Sequence, residues 1–254
     1  MSYTALAITL LFVLIPLILS KTLHLQLEKD TIIATIRSIV QLLIVGYILK
    51  FVFTSDGYLY TGLMIGLMVL AATLNARKKG SHIDGITWKL VVTFLTVEVI
   101  TMSILIGLNV VPATPQYMIP LSGMAIGNAM VLSILFLNRF SSEIEAYEDQ
   151  IELILSLGGT PKQAIHRQLI SSIKASMIPT IESQKTIGLV QLPGMMSGQI
   201  IAGADPIQAV QFQLLVLFML LSTAALSSVI LGFLSYPTLF NKQMQMIHEK
   251  FSGE

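Results

Sequence analysis

The chain has 254 residues, of which 54% are apolar and only 11% charged, and its mean hydropathy is +0.79. Soluble domains carry roughly 25% charged residues, so this composition leaves too little polar sequence to cover the apolar bulk. A net charge of +1 provides no field for nucleic acid, and the absence of cysteine excludes disulfides, thiolate metal sites and cysteine catalysis.

A bilayer-spanning helix needs about 17–25 apolar residues. Runs of that kind occur at 3–20, 31–53, 58–75, 88–110, 117–138, 177–202 and 207–235, which predicts an all-α, multi-pass membrane protein with seven spans and a single membrane domain over 1–254. The first run reads as a retained helix, because the first basic residue, Lys21, follows it rather than preceding it. The connections alternate in charge. Lys21 and Lys29, then Arg77, Lys78, Lys79 and Lys89, then Arg139, Lys162, Arg167 and Lys174, then Lys242 and Lys250 fall on one side, whereas the loops near Asp56, at 111–116 and near Asp205 hold no Lys or Arg. Basic residues accumulate on the cytoplasmic side, so the N-terminus is expected outside a cell membrane and the C-terminus inside. Lys50 departs from the pattern and is expected to snorkel from the second span.

The long loop at 139–176 is predicted to hold two helices. Ser142 with Glu145 forms a capping-box pattern, and Ile144, Tyr147, Ile151 and Ile154 recur at helical spacing among Glu143, Glu148, Asp149 and Glu152. Gly158 and Gly159 end that helix. Thr160 caps the next, with Pro161 at its first position and Gln163 in the box position. Helices lying on a membrane surface usually carry Lys and Arg on the polar face, so an acidic helix fits docking onto another protein better. The same acids argue against DNA.

Glu152 and Gly158, six residues apart, resemble the coupling loop of ABC transporter permeases, with Leu153 and Ile154 in place of two alanines. Three further strings are more specific: Ile119 to Met130 (IPLSGMAIGNAM), Leu157 to Pro161 (LGGTP) and Gly188 to Pro206 (GLVQLPGMMSGQIIAGADP). Together with Arg37, Gln41 and Gly46 they resemble the FetB-type permease family, the membrane subunit of an iron-exporting ABC transporter, over nearly the whole chain. The resemblance implies a homodimeric permease paired with a separate ATPase subunit that binds the ATP. Tyr147, Glu148, Glu152, Gly158 and Gly159 would then lie at the coupling contact. This chain itself has no P-loop and no hydrolase motif, so no catalytic residue and no cofactor of its own is expected.

Charged groups inside spans cost a few kcal/mol each and are functional candidates. Here they are Arg37, Glu98, Glu182 and Lys185. Glu98 is expected either to line a pathway or to pair internally with Arg37 or Lys185. For a metal cargo, hard ions would take Glu98 and Glu182, and softer ions Met195 and Met196. Met124, Asn128, Met130, Gln191 and Pro193, with Arg37, Gln41 and Lys185, complete the candidate pathway. Gln184, Gly188, Gln191, Met195 and Gln199 share a helical face provided that Pro193 does not rotate them apart. Two other classes remain open: an ion-gradient-driven transporter with Glu98 as its proton site, and a non-transporting membrane sensor or assembly factor.

Overall fold

A computed structural model describes residues 9–54, 58–81, 83–241 and 243–247. Among the described residues the chain is helical, without strands, and it forms two compact units, residues 1–57 and 58–254.

The first unit contains α1 (Leu11–Thr22) and α2 (Glu28–Thr54). One buried serine organises the turn between them. The Ser20 hydroxyl accepts the Leu27 amide at 3.0 Å and donates to the Glu28 carboxylate at 2.8 Å. His24 and Gln26 take positive φ, which lets the chain reverse within a few residues.

The second unit begins with α3 (Tyr58–Ala76), which continues into a 3₁₀ turn at Arg77–Gly80. Next come α4 (Ile86–Gly107) and α5 (Pro115–Ala146). Two helices of the long loop follow, α6 (Glu148–Ser156) and α7 (Pro161–Thr186). The last are α8 (Gly194–Ile201) and α9 (Pro206–Ser235), with a closing 3₁₀ turn at Tyr236–Leu239. Among the described residues, five helical stretches are long and apolar enough to cross a membrane: Glu28–Phe53, Tyr58–Gly80, Ile86–Gly107, Pro115–Ala146 and Pro206–Leu239. Leu11–Thr22 is a shorter apolar helix.

α5 is central and packs against α3, α4, α7 and α9. Two apolar clusters hold the unit together. The larger joins Phe94, Phe136, Phe140, Ile144, Ile151, Ile165 and Leu169, so it reaches from the bundle into the loop helices. The smaller contains Leu105, Leu121, Ala125, Val216 and Met219. In lipid, where tails are as apolar as the side chains, such packing stabilises through close contact rather than water release. Gly232 shows how close: a Cβ there would lie 2.9 Å from Leu169 Cδ1 and 3.2 Å from Phe136.

The core also carries many hydroxyls, several of them satisfied by their own helix. Thr93 donates to the Lys89 carbonyl, Ser172 to Gln168 and Ser227 to Ala224, at 2.7, 2.7 and 3.2 Å. Between helices, Ser176 and Ser228 meet at 2.9 Å, and Ser171 donates to the Glu143 carboxylate at 3.2 Å.

The loop departs from its sequence reading at one end. Ser142 does not cap a helix: α5 runs through it to Ala146, and its hydroxyl donates back to the Asn138 carbonyl at 3.1 Å. Phe140 and Ile144 on either side are fully buried, and keeping both in the core requires an unbroken helix. The break falls instead at Tyr147, which has no side-chain cap. The other end is as expected. α6 stops at Ser156, Gly158 takes φ +85°, and Thr160 and Gln163 form a reciprocal capping box at the start of α7.

The sixth apolar run is not one helix. Residues 162–176 and 177–186 belong to the same helix, α7, whereas 187–193 leave the helical path before α8. Pro193 explains part of this, since it offers no N–H and disfavours helix in the residue before it. Gly188, at φ +87°, completes the turn, and its amide donates to the Gln191 carbonyl at 3.0 Å. The helical face expected from Gln184 to Gln199 therefore does not form.

Candidate functional site

The break at 187–193 opens beside a cleft of about 330 Å³ between α5, α7 and α9. Its polar lining consists of amides and hydroxyls: Asn128, Thr180, Ser183, Gln184, Gln191 and Gln213. Pro179 and Pro193 line it too, and among the described residues no charged side chain does. From α9 come Gln213, Leu217 and Leu220, whose i, i+4, i+7 spacing puts them on one helix face.

Two of the amides are pinned. Asn128 Nδ2 donates to the Leu220 carbonyl and to Thr223 Oγ1, both at 2.9 Å, and Gln184 Nε2 donates to the Leu217 carbonyl at 2.9 Å. A backbone carbonyl only accepts, so each of these contacts fixes which amide atom is nitrogen. Gln213 is 7% exposed, and among the described residues its Oε1 meets no hydrogen-bond partner. Buried polar groups are nearly always paired, so an orphaned oxygen is a costly feature of this part of α9.

The expected pathway residues divide. Asn128, Gln191 and Pro193 line the cleft. Met124 and Met195 pack on the smaller apolar cluster, which makes them bundle contacts. Met130 sulfur accepts from Asn75 Nδ2 at 3.4 Å, and Met196 is half-buried in α8. Arg37 and Gln41 are exposed on α2 in the first unit.

The two carboxylates stand in unlike settings. Glu98 is 5% exposed, lies between Val97 of the larger cluster and Leu105 of the smaller, and accepts from Ser122 Oγ at 2.5 Å. Its Oε2 is buried without a partner among the described residues. Glu182 is exposed and pairs with Lys185 at 2.6 Å, so Lys185 serves Glu182 rather than Glu98. Among the described residues no group of three His, Asp or Glu gathers as a metal cage.

The loop helix α6 packs on α7. Ile151 faces inward and is fully buried, whereas Leu153 and Leu157 are 60% and 80% exposed. Tyr147 lies under the Arg167 guanidinium, 5.8 Å from ring centroid to Cζ. A second cavity, of about 710 Å³, opens between Glu152, Gly158 and Gly159 on this side and Gln243 to Met246 on the other. Sequence reasoning missed that C-terminal turn, in which Asn241 Oδ1 accepts the Gln243 and Gln245 amides at 2.9 Å. It missed Gln213 as well. A lone glutamine in an apolar run gives no sign of whether it bonds a neighbouring helix or faces a cavity.

Residues 3–240 match the family model described as "Uncharacterised protein family (UPF0014)". The chain is 54% identical over 246 residues to "UPF0014 membrane protein YjkA" of Bacillus subtilis, covering 97% of this chain and 98% of that one. It is 41% identical over 246 residues to "Probable iron export permease protein FetB" of Escherichia coli, covering 96% and 94%. It is 35% identical over 248 residues to "Protein ALUMINUM SENSITIVE 3" of Arabidopsis thaliana, covering 98% and 91%. No solved structure matches. A helical chain with several membrane-length apolar helices, matched from end to end by these relatives, is a member of the UPF0014 family of membrane proteins.

Proposed function

We propose that this chain is the permease subunit of an ABC transporter, and that it moves a metal ion, iron by analogy with its Escherichia coli relative, outward across the cell membrane. It works as a homodimer with two copies of a separate ATPase subunit, which binds the ATP. The whole chain acts as one permease domain of seven spans, with the broken α7–α8 pair as the sixth, the N-terminus outside and α6 in the cytoplasm.

One observation carries the reading. α7 is a single helix of 26 residues, about 39 Å long at 1.5 Å per residue, capped by Thr160 beside α6 and ending at Thr186 beside the cleft. A displacement of α6 is thereby delivered to Pro179, Thr180, Ser183 and Gln184 in the cleft wall. The exposed Leu153 and Leu157, together with Glu148, Asp149 and Glu152, give α6 an apolar ridge flanked by acids, suited to a basic-rimmed groove on the ATPase. Met244, 57% exposed in the neighbouring turn, extends that surface.

Co-purification tests the assignment. The genomically adjacent ATPase should co-elute with wild type and be lost with Leu157→Asp, which removes an exposed contact and no buried one. If no ATPase associates with folded wild type, the assignment fails.

The buried Glu98 carboxylate, with one oxygen unbonded among the described residues, supports a second reading: a transporter driven by a proton gradient. It predicts flux that needs no ATPase and collapses with the pH gradient.

A further inference from the structure

We infer that a second copy of this chain packs against the C-terminal end of α7 and the break that follows it, so that this surface is the contact face of the homodimer. This rests on the permease reading above, which calls for a homodimer but does not say where its two halves meet.

The surface begins as one helix face. Ile178, Ile181, Glu182 and Lys185 recur at i, i+3, i+4 and i+7, and all four are exposed. It continues into the break, where Leu189 and Val190 are 91% and 84% exposed and Leu192 is exposed as well. No residue of α8 is buried.

Its depth limits what can cover it. Gln184 donates to the Leu217 carbonyl, which lies about 16 Å along α9 from Pro206 and about 27 Å from Ser235 at about 1.5 Å per residue. The hydrocarbon core is about 30 Å thick, so this level falls inside it when α9 spans the bilayer. Ile187, Gln191 and Pro193 share the cleft with Gln213 and Leu217, which puts the break at a similar depth.

Lipid is a poor neighbour there for two independent reasons. Glu182 and Lys185 form an exposed ion pair, and ionised side chains at bilayer depth face protein or water. The break is non-helical backbone, and α8 starts at Pro193 without a side-chain cap, so its first amides have no partner in their own helix. Backbone of this kind is not tolerated against lipid. Water suits the break no better, because Leu189, Val190 and Leu192 together make an apolar patch of the kind that marks a protein contact. Protein satisfies both demands. The ATPase is not that protein, since α6, where it docks, is at the other end of a helix about 39 Å long.

A second copy fits by charge and by shape. Ile187 to Ala204 contain no Asp, Glu, Lys or Arg, so an uncharged segment meets an uncharged segment. The acid and the base of the surface sit one turn apart, and a two-fold axis beside them brings each toward its opposite on the other copy. A Cβ on Gly194 or Gly198 would meet nothing within 4 Å among the described residues, and small residues four apart let a second backbone come close.

The chain has no cysteine, so single-cysteine variants report one position each. In membranes of cells that express the full chain, Ile181→Cys and Val190→Cys should cross-link to a dimer with a short bismaleimide. Leu67→Cys and Val99→Cys, also exposed but on α3 and α4, should not. Lipid, or the first unit of the same chain, on this surface predicts no cross-linked dimer. A charge exchange reads the same contact without a probe. Glu182→Lys and Lys185→Glu each break the pair within the helix and set like charges across the interface, so each alone should dimerise about tenfold more weakly or worse. Co-expressed with different tags, the two variants should pair with each other and recover the loss, although neither regains a partner in its own helix. Absence of cross-linking at both Ile181 and Val190, equal cross-linking at Leu67 and Val99, or a mixture that pairs no better than either variant alone overturns the inference. Light scattering on wild type separates the failures. A dimer that does not cross-link here overturns this contact face and keeps the permease reading, whereas a monomer in the presence of the ATPase removes the homodimer as well.

Discussion

The corner between α6 and α7 is held by a contact that tolerates no side chain. The Gly159 amide donates to the Ile154 carbonyl at 2.9 Å. A Cβ on residue 159 would lie 2.8 Å from that same oxygen and 2.6 Å from Ile154 Cγ2. Comfortable separations between heavy atoms are about 3.5–4.0 Å. The side-chain clash can be relieved by rotation or truncation, but the clash with the backbone oxygen cannot. Gly159→Ala should therefore strain the corner by about 1–3 kcal/mol, the usual cost of overpacking. At about 1.4 kcal/mol per factor of ten, amides in α6 should then exchange about 5–150 times faster. Hydrogen exchange on the purified chain reads this without any partner present. Ile154→Ala alone should cost little, since that side chain is 37% exposed, and combined with Gly159→Ala it should rescue only part of the loss. Unchanged exchange in Gly159→Ala, or complete rescue in the double variant, would refute the claim that the carbonyl sets the limit.

Other consequences can be checked in parallel. Thr160→Ala removes the hydroxyl that accepts the Gln163 amide and should destabilise the start of α7 by about 1 kcal/mol, seen as faster exchange in its first turn. Ser20→Ala leaves the Leu27 amide and Glu28 without their partner in a buried turn, and should cost about 1–3 kcal/mol in unfolding measurements on the micelle-bound chain. Glu98→Gln keeps an oxygen for the Ser122 hydroxyl, so the complex should assemble while metal-stimulated ATPase activity falls; undiminished transport would remove Glu98 from the mechanism.

The parts of this architecture that local chemistry decides were legible in sequence. Gly158, Gly159, Thr160, Pro161 and Gln163 specify a stop and a capped restart within six residues, and both are present. Ser142 shows where local chemistry loses. Its capping pattern with Glu145 is genuine, but Phe140 and Ile144 need a continuous helix to reach the core, and the hydroxyl settles for its own backbone. The break at 187–193 was visible only as Pro193. That it begins at Ile187, with Gly188 in the left-handed region, depends on how far α7 extends, which no single residue announces. Of the cleft-lining residues, Asn128, Gln184, Gln191 and Pro193 had been singled out in the sequence. Gln213 was not, because its significance lies in lacking a partner, and that is a property of three helices together.

The hydroxyls that bond within their own helix bear on motion. Thr93, Ser172 and Ser227 are paid in full by carbonyls one turn back, so they ask nothing of the helix opposite. Each presents a small, already satisfied surface to its neighbour. A helix faced this way slides past another without tearing a hydrogen bond, in the manner of a greased shaft. Beyond its apolar packing, α7 is tied to its neighbours by a short series of side-chain hydrogen bonds: Ser171 to Glu143, Ser176 to Ser228 and Gln184 to Leu217. They are spaced along the length of α7, and the last of them sits at the cleft.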